Sequence, residues 1–153
     1  MRKIFLLFIS IFVLCFSDDT IYNKAINLMK NDEYKEAYNL FVDDANNGNA
    51  KSQLMIGRFF LQGNKLVKKD YEKAMYYFKL ASKQKEYDAN CYIAYMYANG
   101  LGVFPNFGRA NVFAKKEFEN GNKLCIKVWN DFNLSKYPQD KGFKVGDYLE
   151  PVE

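Results

Sequence analysis

Ser82 and Lys85 form an S-x-x-K. On a helix that spacing puts a lysine one turn from a serine, lowers the hydroxyl's proton affinity and makes an acyl-transfer nucleophile. The motif works with S-D-N and K-T-G companions, and the sequence contains neither. The chain has no histidine, which excludes a histidine base and a His-ligated metal within it. Beyond the N-terminal apolar run there are two cysteines, Cys91 and Cys125, and they form no C-x-x-C. Two thiols alone are a poor zinc site, so neither metal nor cofactor is expected. The glycine-rich "ANGLGV", Ala98 to Val103, has the look of a ligand loop. Its meaning depends on the elements around it.

The 153 residues suffice for one domain. Arg2 and Lys3 precede an apolar run from Ile4 to Phe16, with Cys15 and Ser17 as small residues before Asp18. This is the pattern of an export signal over 1–17, cleaved before Asp18. The run is shorter than the roughly 20 apolar residues that cross a bilayer, so no stable membrane span is expected after cleavage, and the protein is expected to be exported, periplasmic or secreted. The net charge of +4, about +2 once Arg2 and Lys3 are removed, is small and interspersed, too slight to argue for nucleic acid or an anionic membrane surface as a partner. The Asn133-Leu134-Ser135 tripeptide matches a glycosylation acceptor only by chance in a chain whose Lys-, Asn- and Tyr-heavy composition reads as bacterial.

From Ile21 onward apolar residues recur at three and four, the helical period. A second, longer period overlies it. Ala37, Ala74 and Ala110 are 37 and 36 residues apart. Phe41 and Phe78 follow at the same offset, as do Ser52, Ala89 and Cys125, then Ile56, Ile93 and Trp129, then Gly63 and Gly100. Helical repeats of this length form stacked helix pairs, each covering the apolar face of its neighbour. The spacing predicts helices near 19–30, 33–46, 50–62, 70–84, 87–99, 107–120 and 122–134, with Asp70 and Asn106 as N-caps. "ANGLGV" is then the end of one repeat and the turn into the next. After Ser135 the period stops. Residues 136–153 read as a tail that packs across the last helix or lies loose, and "GFKVGDYLEP" either pairs as a short strand or binds a partner.

"YKEAYNLFVDDANNGNAKSQLMIGRFFLQG" and "YEKAMYYFKLASKQKEYDANCYIAYMYANGLGV" resemble Sel-1-like repeats, relatives of the tetratricopeptide repeat. The resemblance runs from about Tyr34 to Trp129, with a half-repeat before it. It departs where Lys85 replaces a turn glycine and where Ala94 and Asn130 replace the helix-packing Gly57. It implies an all-α fold, a right-handed α-α solenoid of about seven helices over 18–135 followed by the irregular tail. It also implies an adaptor that binds protein partners as a monomer and without enzymatic activity, small exported members serving as immunity proteins that neutralise a secreted effector. A cysteine-rich branch of the family has been associated with β-lactam binding and hydrolysis, which gives the Ser82–Lys85 spacing an alternative reading as a β-lactamase-like site. That branch places two cysteines in each repeat, a pattern absent here.

In such solenoids the second helix of each pair lines the concave face. The offsets there that the repeat leaves variable hold Lys51, Met55 and Arg58 in one copy and Asp88, Tyr92 and Tyr95 in the next. Met, Arg and Tyr are adaptable or hot-spot contact residues, so these six are the candidate partner-binding set. Trp129 shares the register of Ile56 and Ile93 and is assigned to the core. Cys91 and Cys125 fall on neighbouring second helices. Either they bridge the seam between them, or each fills a small core position.

Overall fold

In a computed structural model the described residues are 20–146. Residues 1–19, which include the segment expected to be an export signal, and the end of the tail, 147–153, lie outside them. The helices are α1 over 20–30, α2 Tyr34–Asn46, α3 Ala50–Gln62, α4 Tyr71–Lys83, α5 Tyr87–Asn99, α6 Phe107–Glu119 and α7 Lys123–Asp131. A short 3-10 turn follows at Leu134–Lys136. The fold is all-α, with seven helices among the described residues packed in consecutive pairs. Helices α2 to α6 are each 13 residues long, about 20 Å at 1.5 Å per residue. None is long and apolar enough to cross a membrane among the described residues.

Side-chain caps set the starts. Asn49, Asp70, Asn106 and Asn122 each accept a backbone N–H from the first turn of α3, α4, α6 and α7, at 2.8–3.1 Å. Each satisfies a donor the helix cannot satisfy itself. The Lys73 N–H on Asp70 holds that carboxyl below its ordinary range. The cap therefore stays charged at neutral pH and is lost only as pH falls through the lowered value.

The turns between α2 and α3, α4 and α5, and α6 and α7 are short, and each contains one left-handed residue: Gly48, Lys85 and Gly121. Glycine adopts that conformation freely, whereas a side chain costs roughly 1–2 kcal/mol there. Lys85, with φ of 66°, carries that strain. Lys85→Gly is expected to raise stability by about 1 kcal/mol, read as a higher midpoint in urea with an unchanged slope.

Between helices the repeat alternates small and large residues. Phe41, Phe78, Ile56 and Ile93 are fully buried, as are Ala37, Ala74, Ala89, Ala94 and Ala110. The tightest approach is at Gly57, where an added Cβ would lie 2.6 Å from a Phe78 ring carbon. Trp129 is buried and stacks on Phe118 with centroids 4.7 Å apart. Polar rungs tie helix to helix: the buried Ser52 hydroxyl donates to Asp44, and, half-buried, the Ser82 hydroxyl donates to Asn90 at 2.6 Å and the Asn90 amide to Glu117 at 3.2 Å.

One expectation is corrected. The last helix ends at Asp131, not near 134, because Asn133 turns left-handed and Leu134 dives fully into the core. No strand forms in the described part of the tail. Instead the Asn111 amide donates to the carbonyls of Leu134 and Tyr137, at 2.9 and 2.8 Å. Arg109 pairs with Asp140 at 3.2 Å, and Phe143 packs edge-on against Tyr97 and Phe113. The tail is thereby bound along α6.

Candidate functional site

The second helices α3, α5 and α7 stand side by side, and between them opens a cleft of about 650 Å³, within the range of small-ligand and anchor-residue pockets. Its apolar wall is Leu61, Tyr71, Tyr92, Leu101, Leu124 and Val128, and Tyr95, Lys69, Lys127 and Asp131 form its rim. Lys127 and Asp131, one turn apart on α7, pair at 2.6 Å.

Tyr92 is the centre of the site. Its ring lies flat on Phe78, with centroids 4.8 Å apart and planes 5° apart. The Arg58 guanidinium sits 5.9 Å above the ring, in cation–π range. Burial pushes the Tyr92 phenol above its ordinary value, so it remains a hydrogen-bond donor across the physiological range. Tyr95 is 37 % exposed and meets Phe132 edge-on. Arg58 donates from Nη1 to the Met55 sulfur at 3.3 Å, while its Nε is buried without a partner. The geometry suits apolar or aromatic side chains in the cleft and a hydrogen-bond acceptor at its lip.

Of the six candidate residues, the fold brings Arg58, Tyr92 and Tyr95 together. Met55 is a correction: it is 7 % exposed and packs in the core around Phe41 and Phe59, so it supports Arg58 from below and offers no surface. Asp88 is likewise spent within the fold. It accepts from the Asn122 amide at 2.7 Å, tying α5 to the cap of α7. Lys51 is exposed, with its ammonium 5.8 Å from the Tyr22 ring, and it lines a separate hollow beside Gly48 and Glu86. Cys91 and Cys125 form a disulfide, with Cα atoms 4.9 Å apart and both side chains fully buried. It joins α5 to α7 beside Tyr92 and Leu124, fixing the distance between two walls of the cleft.

The α7 wall was missed in the sequence, although the repeat contained the signal. Leu124, Val128 and Asp131 stand at the offsets of Lys51, Met55 and Arg58 and of Asp88, Tyr92 and Tyr95. Carrying those offsets into the degraded third copy finds three cleft residues. Leu61, Lys69 and Tyr71 lie at the end of α3 and in the approach to α4, and no variable offset marks them.

The spacing of Ser82 and Lys85 is not expressed as one helical face. The Ser82 proton is directed to Asn90, and α4 ends at Lys83, leaving Lys85 in the turn.

The Sel1 repeat family matches residues 50–86 and 88–116, which are α3 with α4 and α5 with α6. The chain is a Sel1 repeat protein. The family unit starts at the second helix of each pair recognised above, so the tight Gly57–Phe78 contact lies within one unit. Among solved structures, this Sel1 repeat protein is similar to the Sel1 repeat protein from Oxalobacter formigenes, with a TM-score of 0.66 and 24 % identity over 82 % of this chain and 54 % of that one. It is also similar to c5321, a protective antigen present in uropathogenic Escherichia coli strains displaying an SLR fold, with a TM-score of 0.69 and 24 % identity over 86 % of this chain and 28 % of that one. The chain thus spans about half the length of the first and just over a quarter of the second. At this identity the likeness is one of fold. No curated protein matches the Sel1 repeat chain.

Proposed function

We propose that this Sel1 repeat protein is a non-enzymatic interaction module of the cell envelope, binding a protein partner in the cleft between α3, α5 and α7. The observation that carries the proposal is the stack of Arg58, Tyr92 and Phe78 beneath an open aromatic cleft. Tyr and Arg on a rigid wall are the residues that concentrate binding energy at protein interfaces. The family's adaptor role and the export-signal pattern at 1–17 support a partner in the envelope or outside the cell. Neutralisation of a secreted effector is the narrower version of this reading.

Affinity capture from an envelope extract is expected to yield one dominant protein, and Tyr95→Ala and Arg58→Ala are each expected to lower its recovery about 10- to 30-fold. Recovery unchanged by both substitutions would remove the cleft from the proposal. Turnover of a chromogenic β-lactam, abolished by Ser82→Ala, would replace it with the enzymatic reading.

A further inference from the structure

The long loops that lead from α3 into α4 and from α5 into α6 each carry an exposed apolar side chain. Leu66 in the first is 47 % exposed, and Phe104 in the second is 94 % exposed. The loops are neighbours: a Cβ on Gly102 would lie 2.8 Å from the Cβ of Tyr71, the residue that opens α4. Phe104 is not on a slack segment. The following Pro105 has a locked φ and sits so close to Gly100 that a Cβ there would fall 2.7 Å from its ring. The tail joins the same edge through Tyr137 stacked on Phe107 and Asp140 on Arg109.

This edge is also basic. Lys65, Lys68 and Lys69 are exposed in the first loop, and Lys136, Lys141 and Lys144 are exposed in the tail. None of these six makes an ion pair among the described residues. Two acids of the edge are engaged, Asp70 with Lys73 at 3.5 Å and Asp140 with Arg109 at 3.2 Å, and Glu72 beside them is exposed, so the described lysines outnumber the acids that face them. The modest net charge of the chain thus conceals a local concentration.

We propose that this loop edge docks on an anionic lipid bilayer, with Phe104 and Leu66 entering the headgroup boundary and the lysines meeting lipid phosphates. Charge complementarity selects an anionic surface. The shape selects a fluid one. A ring that projects almost wholly into solvent needs a matching cavity in a folded partner, whereas a bilayer interface yields around it. The surface shares only Lys69 with the rim of the cleft, and its apolar tips, Phe104 and Leu66, lie outside that cleft, so they test it apart from the partner-binding reading.

The test uses the full chain with Phe104→Trp and vesicles of phosphatidylglycerol or of phosphatidylcholine, the parent chain supplying the background emission of Trp129. Expected on phosphatidylglycerol are a blue shift in the emission of the indole introduced at position 104 and its quenching by bromine-labelled acyl chains. Both are reversed by high salt and absent on phosphatidylcholine. Each lysine near such a surface is worth roughly fivefold in affinity, so replacing Lys65, Lys68 and Lys69 by Gln together should weaken binding about 100-fold. Phe104→Ser should weaken sedimentation with the vesicles about tenfold without changing the melting temperature. Unshifted emission from the introduced indole overturns the proposal, even where the chain sediments with vesicles through another segment. Binding that the lysine substitutions abolish and Phe104→Ser leaves untouched also overturns it, leaving electrostatic adsorption of the lysines with no insertion of the loop.

Discussion

Phe78→Ala lowers the stability of the protein by about 3–5 kcal/mol, the range for removing a fully enclosed aromatic ring. In a chain of this length that corresponds to a fall of roughly 10 °C in melting temperature. Phe78 has no exposed surface and is used from two sides. Gly57 lets α3 approach one part of the ring, and Tyr92 lies flat on it. Truncation therefore leaves a cavity at the closest helix contact and removes the floor beneath Tyr92. Thermal melts followed by circular dichroism give the first effect. Phe78→Leu, which keeps most of the volume, should show a much smaller loss. Equal losses for the two variants would mean that the ring is not the element that fills the seam.

Loss of the Cys91–Cys125 disulfide is expected to cost about 4 kcal/mol. The two residues are 34 apart in sequence, and closing a loop of that length in the unfolded chain removes roughly that much chain entropy. The double variant Cys91→Ser, Cys125→Ser should melt roughly 10 °C lower than the parent, and dithiothreitol should lower the parent to the same point while leaving the variant unchanged. Cys91 and Cys125 hold α5 and α7 together, so the variant should also bind more weakly in the cleft. A variant that melts with the parent would show that packing alone holds α7 in place.

The helices were legible because local and repeat-level signals agree. Alanines at one offset, aromatics at another and Asp or Asn at the N-caps of α3, α4 and α6 place α2 to α6 within a residue of their spacing-based bounds. The end of α7 was not legible. It depends on Leu134 finding space under Asn111, a contact that spans 23 residues of sequence. The site shows the same division. Tyr92 and Tyr95 could be read from their offsets because those offsets face the groove. Met55 shares the register of Tyr92, but Arg58 folds back over its sulfur and the core around Phe59 takes it in. Asp88 has a surface register too, and only the position of Asn122 reveals that its carboxylate is committed. Periodicity reports the face of a helix, whereas the partner a side chain finds on another helix is a property of the stack.

Trp129 is the chain's one tryptophan, buried against Phe118 on the helix that supplies Leu124, Val128 and Lys127 to the cleft. The protein thus contains its own optical gauge of that wall. Light emitted from a sealed indole shifts to longer wavelength when water reaches it, so the undocking of α7, whether by reduction, heat or a ligand that wedges the cleft apart, would be visible as a change of colour without any label.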